Sequence, residues 1–321
     1  MAAKLFIAVL FICSGLLAEG QMIDHTSTYR NINQKKYFRI LYDNDFFRNI
    51  DLYYTQGLVF EWVKPSFAKF PLTRFLFKTS KSEPRYGFAL DHWGYTPDNA
   101  SLETPAPGDR PYAACLTLTL FGISPDSIRK TRLASAISVG VLGPAAGGKE
   151  LQTAIHNLIN DVLPKGWNSQ VRNNIIVNYR LNFEKQLLTV PERILLNLAT
   201  EARMGTLDDR LSAGMNMMAG HFKDPFGPAT GFKKKIQYFF YSEAKIHFVA
   251  YNASLQGGFF DKRSPFTIAS RDISRITFQW DAGIAIHLRK LFFHFSQSCI
   301  SREFHHAKSH KWGGLGFGWR I

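Results

Sequence analysis

The sequence predicts an all-β fold, a twelve-stranded antiparallel transmembrane β-barrel with a short helix in an extracellular loop. Three observations carry that expectation. A short apolar leader opens the chain, no later apolar run reaches the roughly 18 residues of a spanning helix, and period-two alternation recurs up to the last residue. The 321 residues include 45% apolar and 14% aromatic side chains, 39 basic against 25 acidic residues, and three cysteines. That composition excludes a disulfide scaffold and an acidic disordered chain. A mean hydropathy of −0.13 fits a barrel, in which lipid-facing and lumen-facing positions average out.

The leader comes first. Lys4 precedes the apolar stretch 5–18, and Ala18-Glu19-Gly20 supplies small residues two apart, so residues 1–20 read as a secretory signal peptide and 21–321 as one barrel domain. Ile12 before Cys13 excludes a lipoprotein cleavage site, which needs a small residue there. Cys115 and Cys299 remain in the exported chain, each in a strand-like segment. They read as free buried thiols, with a disulfide between them as the alternative in an oxidising compartment.

The strands follow from alternation. Ile175, Val177, Tyr179, Leu181 and Phe183 oppose Ile176, Asn178, Arg180, Asn182 and Glu184, giving one apolar and one mostly polar face. The same pattern places strands at 36–47, 53–64, 84–95, 112–122, 132–142, 173–186, 192–205, 210–220, 238–251, 272–287, 291–303 and 312–321. Most approach the roughly 9–11 residues with which a tilted strand crosses a bilayer, and they are too many and too long for one soluble sandwich. Trp62, Trp93, Tyr95, Trp280 and Trp319 near strand ends suit an aromatic girdle, and closure leaves no backbone edge in lipid. The connections 96–111, 143–172 and 221–237 are then expected to be extracellular.

Two clusters carry candidate chemistry. In 143–172, the glycine-rich start Gly143-Pro144-Ala145-Ala146-Gly147-Gly148 breaks a strand, and 149–163 has helical spacing with Leu151, Ile155, Leu158 and Val162 on one stripe. Gln152 and His156 share a face beside it, on a helix expected to cap the barrel mouth. His156 is either a functional base or a hydrogen-bonded packing residue. The second cluster is Asp43-Asn44-Asp45 facing Tyr53-Tyr54-Thr55-Gln56-Gly57 across the first hairpin. Oxygen donors of this kind suit a hard cation such as calcium, and they are also ordinary turn residues.

Read together, these motifs resemble the lipid A 3′-O-deacylases of the Gram-negative outer membrane over nearly the whole exported chain. The carriers are Asn44-Asp45, Tyr54-Thr55-x-Gly57, Gly108-Asp109-Arg110-x-Tyr112, and the run Gly143-Pro144-x-Ala146-Gly147-Gly148-x-Glu150-x-Gln152-x-x-x-His156 closing with Trp167-x-x-Gln170. The resemblance implies calcium-dependent hydrolysis of an acyl ester of lipid A, the lipopolysaccharide anchor, by an outer-membrane protein. It implies His156 as general base, Gln152 and Asn44 as residues organising the catalytic site, and Asn44, Asp45 and Thr55 as calcium ligands.

The chain departs from the family twice: residues 95–102 lack its loop lysine, and Val162 stands where it has a glutamate ligand, leaving Asp161 as the substitute. Arg110 and Lys149 are the cations expected to meet lipid A phosphates. A monomer is expected and nucleic acid is not, because the +14 net charge is dispersed among strands. Two other readings stand beside this one. One is a non-catalytic barrel, a pore or structural protein; the other is a phospholipase-like esterase using His294 and Ser296, two apart on one strand.

Overall fold

Alternating side chains need two different surroundings, and a closed cylinder of strands supplies them. The computed structural model describes residues 23–45, 52–79, 82–160, 162–227 and 236–321, so the leader expected at 1–20 lies outside the described residues. The strands are β1 (Tyr37–Asn44), β2 (Tyr53–Val63), β3 (Arg85–Thr96), β4 (Ala113–Asp126), β5 (Thr131–Leu142) and β6 (Asn174–Val190). They continue as β7 (Ile194–Gly205), β8 (Asp208–His221), β9 (Ile236–Asn252), β10 (Ile276–Leu288), β11 (Leu291–Ile300) and β12 (His310–Trp319). Each strand pairs antiparallel with its neighbours in sequence, and β1 closes on β12 with Phe38 opposite Trp319 and Asn44 opposite Gly313. All twelve predicted strands are present.

The two faces sort as a bilayer requires. On β6, Ile175 and Val177 are exposed on the outside while Asn178, Asn182 and Glu184 are buried within. Trp62 and Trp319 face outward as expected of a girdle, whereas Trp93 and Tyr95 are buried inside the cylinder, which corrects their assignment to the girdle. Gly314 faces the lumen beside Asp43 and Ser296, where a Cβ would collide with both side chains.

The lumen is filled by the chain's own N-terminal stretch. Residues 23–32 are buried throughout. Asp24 accepts hydrogen bonds from Ser27 (2.6 Å), Asn182 (3.0 Å) and Arg180 (3.2 Å), and the Thr28 backbone N–H donates to Glu184 (3.1 Å). The Tyr29 ring stacks on Tyr241 at 4.2 Å, and Arg85 donates to Ile32 O and Asn31 Oδ1, both at 2.6 Å. Glu61 is held by Arg39 (2.6 Å), His25 (2.8 Å) and Tyr37. Buried charges persist only when paired in this way, and removing one partner costs about 3–5 kcal/mol. With the lumen occupied in this way, planar-bilayer recordings of the purified barrel are expected to stay at baseline; steady ohmic steps would show a pore.

Strand parity assigns the connections to two ends. Residues 45–52, 97–112, 143–173, 206–207, 253–275 and 301–309 share one end. The connections 64–84, 127–130, 191–193, 222–235 and 289–290 join strands at the other, where β1 begins and β12 ends. The longer set is extracellular and the shorter periplasmic. The connection expected to be extracellular at 221–237 is therefore periplasmic, because β8 is an even-numbered strand and runs toward that end.

The helix α1 (Gly148–Ile159) stops at Asn160, whose φ of 58° ends it before Pro164 is reached. It lies against the outer wall and does not cap the mouth. Its buried face is Gly148, Gln152 and His156, and its apolar stripe points away, with Leu158 86% and Val162 68% exposed. Beside a bilayer the sorting of a soluble helix is reversed: apolar side chains turn to lipid and polar ones to the protein.

Candidate active site

A bulge starts the site. The β2–β3 register shifts between Tyr54 and Gln56, leaving Thr55 as the extra residue and turning Tyr54 inward while Gln56 faces out. Asn44, at the end of β1, also faces out and donates from Nδ2 to the Thr55 carbonyl at 2.7 Å. Thr55 Oγ1 donates to the Gly94 carbonyl (3.3 Å), and Asp45 Oδ2 accepts from the Leu52 N–H (2.7 Å). Asp43 points the other way, accepting from Trp312 Nε1 inside the barrel at 3.1 Å. Alternation thus splits Asp43-Asn44-Asp45 between two faces.

One cross-strand row links this rim to the helix. Asn44 lies opposite Gln56, Gln56 opposite Gly94, and Gly94 opposite Ala114, all on the outer face. Gly148 of α1 sits on Ala114 and the Trp167 ring so closely that no Cβ fits. That contact explains the glycine in the motif: it lets the helix rest on the wall. Gly94 and Ala114 form a strip of small residues between the Asn44–Gln56 rim and α1, with the Gln56 side chain lying over Gly94; this strip is termed the trough. Ala146, Ala114, Tyr112 and Trp167 pack together beneath the helix, with the Tyr112 and Trp167 rings 5.1 Å apart.

The helix side chains are oriented by bonds to their own loop. Trp167 Nε1 can only donate, and it does so to Gln152 Oε1 at 2.7 Å, which fixes the amide so that Nε2 is the free donor. His156 Nδ1 lies 2.6 Å from the Val162 carbonyl, an acceptor, so Nδ1 carries the proton and Nε2 the lone pair. Position 162 lacks the family's glutamate but supplies this carbonyl. Asp161, its expected substitute, lies outside the described residues.

Three buried polar groups around the trough lack partners among the described residues. They are Gln152 Nε2, Gln56 Nε2 and one ring nitrogen of His92, whose other nitrogen faces the Ala146 backbone. His92 has the same outward register as Leu90, is 7% exposed, and lies beside the Ala146 backbone. A buried polar group without a hydrogen bond is costly and marks a place where a ligand can complete it. Sequence reasoning missed His92 and gave Gln56, named in the first-hairpin cluster, no role. Their signal was there, since both are polar residues at lipid-facing positions of an otherwise apolar alternation.

The remaining candidates fall elsewhere. Arg110 is fully buried, pairs with Glu303, donates to Ser254 Oγ at 2.9 Å and stacks over the Tyr95 ring at 4.3 Å. Burial pushes the Glu303 carboxyl upward while the Arg110 charge opposes it. Lys149 is exposed and reaches Asn168 Oδ1 at 3.3 Å. The loop after β3 has no lysine, yet Lys308 enters it to pair with Asp98. His294 Nε2 meets the Tyr241 hydroxyl at 2.7 Å inside the barrel, Ser296 is buried there too, and Phe293 and Phe295 take the lipid side. A membrane lipid outside the barrel therefore meets neither His294 nor Ser296.

A cavity of 410 Å³ opens at the periplasmic end, bordered by Lys35, Lys64, Glu83 and Arg85, and includes none of these residues. It lies at the opposite end of the barrel from Asn44 and α1 and has no part in the site. For calcium, no cluster of three or more His, Cys, Asp or Glu exists among the described residues. The donors at the rim are oxygens of Asn44, Asp45 and Thr55, hard ligands of the type calcium takes, with one carboxylate among them.

The family model "Outer membrane protein LpxR" matches residues 5–321. Among solved structures, LpxR from Salmonella typhimurium superposes with a TM-score of 0.73 at 19% identity, over 89% of this chain and 100% of that one. The β domain of the Bordetella autotransporter BrkA reaches a TM-score of 0.46 at 8% identity, over 89% of this chain and 99% of that one. No curated protein matches the chain. The family match runs nearly end to end on a closed twelve-stranded barrel, and the chain therefore belongs to the LpxR family of outer-membrane proteins.

Proposed function

We propose that this chain is a lipid A 3′-O-deacylase, a carboxylic ester hydrolase that removes a 3′-linked acyl chain from lipopolysaccharide in the outer leaflet. The observation that carries the reading is His156, buried on the face of α1 turned to the outer wall with Nδ1 tied to the Val162 carbonyl. Nε2 then carries the lone pair that can accept a proton in general-base catalysis. It takes a proton from water as the water oxygen attacks the ester carbonyl. The same proton passes from Nε2 to the departing sugar oxygen, so fatty acid and alcohol leave and His156 returns neutral.

Gln152 Nε2 donates toward the substrate oxygen, and Gln56 and His92 offer further polar contacts along the trough. Asn44, Asp45 and Thr55 would hold calcium, which when bound supplies positive charge for the developing oxyanion. Lys149, exposed at the start of α1, would meet a lipid A phosphate. Leu158 and Val162 turn toward the acyl layer and keep the helix at the depth of the ester.

The plugged lumen argues against a pore, and the inward-facing His294 and Ser296 argue against a phospholipase built on them. The purified protein in mixed micelles is expected to release fatty acid from lipid A and not from phosphatidylethanolamine; the opposite preference would refute the reading. His92→Phe and Gln56→Leu are each expected to lower kcat/KM by about tenfold, the loss of one substrate hydrogen bond of ~1.4 kcal/mol. Unchanged kinetics in both folded variants would assign them to packing.

A further inference from the structure

The periplasmic connection between β2 and β3 is built as a strap on the outside of the barrel. Two 3-10 turns, Pro65–Lys69 and Pro71–Phe75, have no buried residue, and each starts with a proline where the missing N–H is harmless. Phe67 stands edge-on to Trp62 at 5.2 Å and to Phe88 at 5.0 Å, and Phe70 meets Phe88 at 5.3 Å. Leu76 packs with Leu120 and Ile137. Tyr179 Oη donates to the Phe75 carbonyl at 3.0 Å and accepts from the Phe77 N–H at 3.3 Å. The strap therefore crosses the lipid-facing wall from β2 to β6, below the sector that carries the trough.

Its other side is apolar and cationic. Phe70, Leu72, Phe75 and Phe77 are exposed by 41, 42, 53 and 62%. Lys64, Lys69, Arg74 and Lys78 punctuate the segment, and residues 64–79 contain no acid. Lys64 lies over the ring of Trp62, an outward-facing aromatic at the end of β2, at 5.6 Å, and Arg74 lies over Phe75 at 4.8 Å. Exposed aromatics beside regularly spaced cations suit one surrounding, the boundary between acyl chains and anionic headgroups.

We propose that residues 64–79 form a binding surface for anionic glycerophospholipids of the periplasmic leaflet. The aromatic side chains enter the acyl layer, and Lys69, Arg74 and Lys78 hold the headgroup phosphates. This surface is independent of the hydrolytic reading, which uses the other leaflet.

The test is native mass spectrometry of the full chain equilibrated with equal amounts of phosphatidylglycerol, phosphatidylethanolamine and lipid A. Wild type is expected to retain phosphatidylglycerol over phosphatidylethanolamine by about fivefold or more, the scale of one or two cations at a charged surface. In Lys69→Gln/Arg74→Gln/Lys78→Gln the ratio falls to about one, whereas Lys69→Arg/Lys78→Arg keeps it, with heat-modifiable gel migration verifying the folded barrel in each. Equal retention by wild type, an excess that persists in the triple variant, loss in the charge-preserving variant, or lipid A as the species lost from the triple variant would each overturn the proposal.

Discussion

His156→Ala is expected to reduce ester cleavage of lipid A by a factor of about 10²–10⁴ in kcat, the usual contribution of a positioned general base, with KM little changed. The expectation follows from geometry. The ring is 7% exposed, Nδ1 is committed to the Val162 carbonyl at 2.6 Å, and Nε2 is the nitrogen left to handle a proton. The helix should survive the change, because it is seated by Gly148 on Ala114 and by the Gln152–Trp167 bond. A parallel fall in KM, or a rate within twofold of wild type, would place the base elsewhere. Gln152→Leu separates the two contributions: it removes the donor toward the substrate while leaving His156 in place.

The second large effect concerns calcium. Chelation is expected to abolish fatty-acid release reversibly, and Asp45→Ala to raise the calcium needed for half-maximal rate by about tenfold or more, since Asp45 supplies the carboxylate among Asn44, Asp45 and Thr55. Binding also has a readout apart from turnover. Calorimetric titration should detect calcium uptake by wild type and its loss in Asp45→Ala, and saturating calcium should stabilise the wild-type barrel by about 2.7 kcal/mol at a hundred times Kd. Unaltered turnover in chelator together with flat titrations would remove calcium from the account.

The barrel was legible because a single rule, alternate apolar and polar residues, recurs along the strands. The same rule located all twelve strands and exposed its own limits. It could not say which connections share an end, and counting strands from the N-terminus moves 222–235 to the periplasm. It also misread Trp93 and Tyr95, whose position near a strand end suits a girdle although their register turns them inward.

The helix shows a further limit. Its period marks a stripe, but only the surroundings decide whether the stripe is buried, and beside lipid Leu158 and Val162 point away from the protein. His156, Gln152, Asn44 and Thr55 were visible through motif and spacing. Gln56 stood in the first-hairpin cluster without a role and His92 was a lone polar residue at an outward position; only the bulge at Thr55 and the docked helix bring the two onto one strip of the wall.

The central claim is that chemistry occurs on the outer wall beneath α1, at the level of the outer leaflet. Mass spectrometry of lipid A from cells expressing wild type or His156→Ala tests it most directly, with both barrels verified as folded in the outer membrane. The account predicts that wild type removes the mass of a 3′-linked acyl chain and that His156→Ala leaves lipid A intact. Unmodified lipid A with folded wild type in its native membrane, or the same loss with His156→Ala, would contradict it.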